Sequence, residues 1–397
     1  MVRKYLFANI HRFRQRWYPL RWFYGSMFTS SAGRSGYAFA CAWFLVVSDE
    51  GNPAVAVFFA IISVTELLTS PIAGWITDRF DRRRVFIIAE LFRFAAVILL
   101  ATALALYDIR WMIWISAIPF AVCDRVALTA SQAMIPSVNK YFSPGTANSL
   151  CFFFMQAGGL VAAIAIGLLL HTSTVCITFY VIATAFILSA ASMCLIARDR
   201  TGFSSCRGNC GTGFLLKLDT RLLRLTALYA LLYGGGVLVS ILGPGYVLNE
   251  LRGNSVDFGE LESAWSAGSI LGAILLVPLA RIARAPALQT VIFMLTALTF
   301  GALKFMTLPW VLAVFALAGT LYNLGRVAIE VTLQDVVPGE TLGRAKSVLH
   351  CAGVSIGLIL FGLVSSLNDG VEPSTVFIAF AALLLATAMV LAAFGRR

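Results

Sequence analysis

The chain has 397 residues, of which 59% are hydrophobic and 12% charged, against about 25% charged in an ordinary soluble domain. With a mean hydropathy of +0.86, so much apolar area cannot be hidden in one or two cores; a soluble globular protein is excluded, and so is disorder, which needs low hydrophobicity. The formal charge of +11 comes from 30 basic and 19 acidic residues, and where the basic residues lie decides between nucleic acid and membrane as the partner.

A membrane helix takes about 20 mostly apolar residues. Twelve such stretches are predicted, most of them separated by a few polar residues, often with Gly, Pro, Asn or Asp. A basic N-tail, residues 1-22, precedes the first. It mixes Arg with Tyr, Phe and Trp, which fits an interfacial amphipathic helix or a plain topology anchor equally well. No small-residue cleavage site follows, so the first stretch reads as a retained helix and not a signal peptide. Spans 1 and 2 are predicted at 23-47 and 53-77, with Arg34 and Glu66 about midway along them. Span 3, at 85-107, carries Glu90 and Arg93 at i,i+3 near one end, a spacing that reads as a local structural pair. Span 4, at 111-136, holds Asp124 and Arg125 about midway. Adjacent residues point about 100° apart on a helix, so these two cannot simply pair with each other. One arrangement pairs Arg34 with Glu66 or with Asp124 and leaves Arg125 facing a cavity. A charge in mid-bilayer costs several kcal/mol unless paired or hydrated, roughly 3 kcal/mol at least, so all four are candidate proton-coupling or substrate-binding residues.

Spans 5 and 6 are predicted at 148-170 and 174-196. The long polar interruption at 197-221 follows and contains Cys206 and Cys210, a lone Cys-x3-Cys that reads as reduced surface thiols before it reads as a zinc site. Span 7, at 222-248, reads YGGGVLVSILGPGY from Tyr233 to Tyr246; its glycines and Pro244 predict either a bend or close helix packing. Spans 8 to 12 fall at 258-280, 287-304, 309-336, 346-367 and 374-394, and residues 395-397 form a C-tail. Span 10 carries Arg326 and Glu330 at i,i+4, able to pair on one face; these two complete the candidate set. The chain is thus read as an all-α polytopic membrane protein of twelve transmembrane helices in two six-helix bundles, 23-196 and 222-394, joined by a central loop at 197-221.

With the N-terminus placed in the cytoplasm, the cytoplasmic segments, counted with Arg224 and Lys346 at the adjoining ends of spans 7 and 11, hold 23 basic residues and the opposite loops three, Arg110, Arg252 and Lys304. That bias predicts both termini and the central loop on the cytoplasmic side. It also makes anionic lipid headgroups, and not nucleic acid, the partner of the positive charge. An internal repeat supports the division into halves: DRVALTASQAMIP, Asp124 to Pro136, and GRVAIEVTLQDVVP, Gly325 to Pro338, share Arg-Val-Ala, then Gln, then Pro four residues beyond it. Repeated halves place a substrate path at their interface.

Between spans 2 and 3 lies GWITDRFDRRR, Gly74 to Arg84. It resembles the major facilitator superfamily signature Gly-x-x-x-Asp-Arg-x-Gly-Arg-Arg at the same loop, with Asp81 where many members have glycine. The stretch from Asn52 to Ala95, with Asp-Arg-x-Asp-Arg-Arg and Arg93, is similar to the enterobactin-exporter-like and macrolide-efflux-like branch. The similarity continues through SQAMIPSVNKYFSPGTANSL, Ser131 to Leu150. In the C-terminal half it is carried by the span count and by Pro338 to Arg344. The resemblance implies two bundles rocking about a central cavity. It makes the loop a gate that latches the halves, formed by Gly74, Asp78, Arg79, Asp81, Arg82, Arg83 and Arg84. It also implies that an arginine in span 4, here Arg125, takes part in proton coupling. The physical reading of the loop is compatible: Gly74 permits close helix approach, Asp78 sits at a helix end where it can accept backbone N–H bonds, and the arginines can pair with acids.

No Walker loop, nucleophile elbow or HExxH occurs, so the sequence offers no ATP hydrolysis or covalent catalysis. Three histidines and eight scattered cysteines suggest neither a metal centre nor a disulfide framework. The expectation is a non-enzymatic, cofactor-free, monomeric transporter of a bacterial inner membrane. Its partners are a small-molecule substrate, protons and membrane lipid, and proton-coupled export of an amphipathic siderophore or drug leads. The alternatives are an importer of a siderophore or other nutrient on the same fold, and a non-transporting receptor or scaffold.

Overall fold

A computed structural model describes residues 2–107, 111–138, 144–196, 220–279, 286–337, 342–367 and 371–394. Among these every regular element is helical: α1 (Val2–Leu45), α2 (Gly51–Arg79), α3 (Arg82–Tyr107), α4 (Met112–Val138), α5 (Pro144–Thr172), α6 (Val175–Cys194), α7 (Thr220–Gly245), α8 (Ser255–Leu279), α9 (Pro286–Ala302), α10 (Trp310–Val336), α11 (Leu342–Ser365) and α12 (Pro373–Phe394). Each predicted span has its helix, and ten of the described helices are long and apolar enough to cross a membrane. The basic leader is not separate from span 1. It is the first part of one 44-residue helix, α1. The central loop with Cys206 and Cys210, and the start of the Pro338 to Arg344 stretch, lie outside the described residues.

Polarity is inverted relative to a soluble protein. On α3, Leu99 and Leu106 expose 66% and 73% of their surface while Glu90 and Arg93 are buried. An apolar stripe turned outward and charges turned inward are stable only where the surrounding medium is hydrocarbon.

The helices fall into two compact units. The first contains α3, α4 and α6 with α1 up to residue 40, α2 from 65 and α5 up to 162. Its core includes Phe23, Tyr24, Phe86, Ala127, Ala130 and Met193. The Ser26 hydroxyl donates to the Ser189 carbonyl at 3.0 Å, tying α1 to α6. Gly158 of α5 lies against the backbone of Phe28 and Ala32 on α1, where a Cβ would collide with main chain.

The second unit contains α7 to α12, together with residues 41–64 and 163–172 from the ends of α1, α2 and α5. Its closest seam joins α8 and α10. Gly268, Gly272 and Gly319 lie on the backbone of Ala316, Thr320 and Trp265 respectively. Small residues allow such approach, and hydrogen bonds cross it: Thr320 to the Gly268 carbonyl at 3.0 Å and the Asn323 amide to the Ser269 carbonyl at 2.8 Å. Gly167, in the last turns of α5, meets Gly259, and the Ser255 hydroxyl donates to the Gly167 carbonyl at 2.9 Å. The glycine triplet of α7 does not break it. The helix runs unbroken to Gly245, and Gly234, Gly235 and Gly236 receive the side chains of Leu360, Phe300 and Tyr322. Packing accounts for them. Both α1 and α7 end in a five-residue π-helical turn, Val46–Glu50 and Tyr246–Glu250, a second structural echo between the halves beside the Arg-Val-Ala repeat. The Glu250 carboxylate accepts the backbone N–H of Ser374 at 2.7 Å, satisfying the first turn of α12.

Candidate functional site

In the first unit, α1, α2, α3 and α4 bring six charged side chains to one region. Arg93 of α3 is the hub. Its guanidinium donates to Asp124 of α4 at 2.5 Å and to the Ser30 hydroxyl of α1 at 2.8 Å, and also bonds Glu90. Ser30 donates in turn to the same Glu90 oxygen at 2.8 Å. The guanidinium lies 4.7 Å from the centre of the Phe186 ring of α6, a cation–π contact that favours arginine over lysine. Arg93 is 1% exposed and Glu90 fully buried. Even so, Arg93 Nε and Glu90 Oε2 are buried without a hydrogen-bond partner among the described residues.

Arg34 joins the set through Asp124, 3.8 Å away. Of the two acids open to Arg34 in the sequence, it therefore meets Asp124, and more loosely than Arg93 does. Glu66 makes no direct ion pair among the described residues; Asp124, Arg34 and Arg125 are its charged neighbours. Arg125 contacts no acid directly, and its Nε is buried without a partner among the described residues. A cleft lined by Ser30, Arg34, Arg93, Asp124, Ser131 and Met155 opens beside the network. Three arginines and three carboxylates balance in charge, so a proton gained or lost anywhere unbalances the set.

The α2–α3 loop differs from expectation in three respects. Within the first unit no described atom outside its own helical backbone and chain neighbours lies within 4 Å of where a Gly74 side chain would begin, so this glycine makes no close approach there; Ala73 and Thr77 are the buried residues of that turn. Asp78 is exposed at the C-terminal end of α2 with no partner among the described residues. The capping role falls to Asp81, whose carboxylate accepts the Arg83 N–H at 3.1 Å and whose carbonyl accepts the Val85 N–H at 2.9 Å, because an aspartate just before a helix can satisfy its first free N–H groups. The arginines chiefly bind backbone. Arg82 donates to the Ala133 carbonyl of α4 at 2.8 Å, and Arg83 to the Met193 and Cys194 carbonyls at 3.0 and 2.6 Å. Arg83 thereby closes the C-terminus of α6, where a cation also meets the helix dipole favourably. Arg84 lies 3.9 Å from Asp81, and Arg79 lies over the Trp75 ring at 5.4 Å.

In the second unit Arg326 and Glu330 pair at 3.4 Å along α10, with Tyr229 and Tyr322 beside the guanidinium. Three residues escape the sequence reading of the site. Arg93 and Glu90 read there as a local pair, and their spacing carries no sign of the contacts to α1 and α4 that make Arg93 a hub. Glu262, in α8, is the third; an acid seven residues inside a membrane helix is a visible signal.

The model of the Major Facilitator Superfamily matches residues 23–362. The chain belongs to this superfamily. It is therefore a multi-pass membrane transporter. The multidrug efflux pump Tap of Mycolicibacterium fortuitum is 27% identical over 356 residues, 84% of this chain and 86% of the relative. Solved structures share the fold at lower identity. The nucleoside transporter NupG superposes with a TM-score of 0.73 at 13% identity, covering 95% of this chain and 98% of that one. A bacterial homologue of the iron transporter ferroportin, inward-facing, gives 0.71 at 17% over 94% and 98%. A POT family transporter in complex with 5-aminolevulinic acid gives 0.74 at 11% over 94% and 95%.

Proposed function

We propose that this transporter exports an amphipathic small molecule, a drug or a siderophore, in exchange for protons. The observation that carries the reading is the balanced set Arg34, Glu66, Glu90, Arg93, Asp124 and Arg125, of which Glu90, Arg93 and Asp124 are buried and the other three half-buried, beside a cleft between membrane helices. Such groups are costly in hydrocarbon and mark proton and substrate paths. The likeness to an efflux pump supports the outward direction.

Glu66 is the acid able to exchange a proton without breaking an arginine contact. Protonated, it no longer attracts Arg34 and Arg125, which then compete for Asp124 and for the substrate. A shift between inward- and outward-open states follows from their different affinity for the proton. The Gly74 to Arg84 loop is the cytoplasmic gate, with Asp78 free to find a partner elsewhere in the cycle. The protein acts as a monomer in a bacterial inner membrane with both termini cytoplasmic, an orientation that labelling of Cys206 by an impermeant thiol reagent in intact cells would refute. Arg326 and Glu330 are the candidate proton-coupling or substrate-binding residues of the second unit.

The test is flux in proteoliposomes under an imposed pH gradient, with a panel of amphipathic dyes and iron chelators. Wild type is expected to move at least one compound against its gradient, opposite to the protons. Glu66→Gln is expected to bind that compound and lose its response to the pH gradient, and Asp124→Asn to be impaired in both. Full gradient-driven flux in both variants refutes the coupling, and uphill movement in the direction of the protons makes the protein an importer.

A further inference from the structure

The basic leader forms part of α1 but no part of the transport site. Leu20 marks the level at which the first unit ends. It packs in one cluster with Val85, Ile135, Ala147 and Ile196. These lie at the start of α3, the end of α4, the start of α5 and just past the end of α6. Among the described helices of this unit, only α1 runs on past that layer, through residues 2–19, about 27 Å at 1.5 Å per residue.

Because α1 is one helix, the leader keeps the register of the packed part. At about 100° per residue, Leu6, Ile10, Phe13 and Trp17 share a face with Leu20 and Tyr24, both buried in the core of the unit. Their spacing alternates between four residues and three. No described helix of the unit reaches far enough to cover the outer four. Basic residues occupy the rest of the circumference. Arg3, Arg14 and Arg16 border the apolar face, and Lys4 and Arg12 lie across from it. The first acid in the chain is Asp49.

An apolar face of this length gains by being covered, and the charge around it selects the cover. A second copy would set two basic, acid-free helices side by side, and like charges repel. An anionic bilayer surface instead attracts the leader, by about fivefold in binding for each basic residue. It takes the apolar face into the headgroup and acyl boundary and suits Trp at that depth. A leader held in line with α1 would stand off that surface. Pro19 leaves α1 continuous, but it has no N–H for the Gln15 carbonyl. One rung of the helix ladder is therefore missing where the leader joins the membrane part, and such a position is where helices bend. We propose that the leader turns at Pro19 and lies on the bilayer as an amphipathic helix. Its apolar face enters the lipid and its arginines and lysine meet the headgroup phosphates of anionic phospholipids. A plain topology anchor needs the charge but not the stripe.

The experiment uses the full-length protein in nanodiscs of phosphatidylcholine or of phosphatidylglycerol, with trypsin as the probe. Cleavage after Arg12, Arg14 and Arg16 is followed by mass spectrometry. Wild type is expected to be cut at least about tenfold more slowly in phosphatidylglycerol, with the difference shrinking as salt is raised. Phe13→Ser combined with Trp17→Ser keeps every basic residue and should lose most of that protection. Tyr5→Ser combined with Tyr18→Ser, both off the apolar face, should keep it. Equal cleavage of wild type in the two lipids overturns the proposal and leaves a plain anchor. So does protection that survives Phe13→Ser with Trp17→Ser, since charge alone then holds the segment. Protection that rises with protein concentration in lipid-free detergent also overturns it, because the face then meets a second copy. Should the doubly substituted protein fail to fold, hydrogen exchange of the amides of residues 2–18 in wild type decides: slower exchange in phosphatidylglycerol than in phosphatidylcholine supports the bilayer site, and equal exchange overturns it. Transport enters none of these measurements.

Discussion

Replacing Arg93 with methionine tests whether the hub of the first unit holds that unit together. The side chain is 1% exposed and reaches Asp124, Glu90 and Ser30 at once, with its flat face on Phe186. Methionine fills much of the volume and keeps contact with the ring. It leaves two buried carboxylates, of which Asp124 retains Arg34 at 3.8 Å and Glu90 retains only the Ser30 hydroxyl. Removing one partner of a buried ion pair costs about 3–5 kcal/mol, because the other charge stays buried. At about 2 °C per kcal/mol for a large chain, the apparent unfolding midpoint of purified protein should fall by about 6–10 °C, read by intrinsic fluorescence on heating. Glu90→Gln added to Arg93→Met removes the more stranded of the two charges. The double variant should therefore unfold above the single one. Arg93→Lys should rescue poorly, since an ammonium lacks the flat fork that serves three acceptors and a ring together. A fall of less than about 2 °C for Arg93→Met, or a double variant less stable than the single, would show that the network is not what holds α1, α3 and α4 in register.

Two further outcomes follow from local geometry. Asp81→Ala should lower stability by about 1 kcal/mol through loss of the α3 cap, and Asp81→Gly by only a few tenths, measured by the same melting assay; equal effects would mean that the carboxylate does not cap. Gly158→Val should block accumulation of folded protein, judged by size-exclusion chromatography of a fluorescent fusion, because its side chain would enter the Phe28 backbone, whereas Gly74→Ala, with open space at its Cβ, should behave as wild type in that assay.

The helices were legible because their signal is local: about twenty apolar residues per span, counted along the chain. Their ends were less so. The basic leader differs in composition from span 1, yet nothing in it breaks the α1 helix, so the boundary at residue 22 was one of polarity and not of backbone. In the site, the depth of Arg34, Glu66, Asp124 and Arg125 was visible in the sequence, since depth follows from counting residues. Partner choice was not, since Arg93 reaches Asp124 and Ser30 across helices whose rotations no single-helix pattern fixes. Asp81 was visible as a departure from a motif, but its capping role appears only once α3 is known to begin at Arg82. Gly74 was assigned a close helix approach from its motif position; within the first unit its Cβ position is open.

The α8–α10 seam has a mechanical consequence. Most helix pairs meet through side chains, which yield by changing rotamer and let one helix slide on its neighbour by fractions of an ångström. Here main chain rests on main chain at Gly268, Gly272 and Gly319, and hydrogen bonds stitch the two helices across the joint. Sliding would break those bonds and drive carbonyls into one another, so the pair behaves as a single stiff beam. A transporter must deform somewhere to work. The beam transmits displacement along its length without absorbing it, and the Trp265 and Tyr322 rings packed across it move together while softer, side-chain-mediated joints take up the strain.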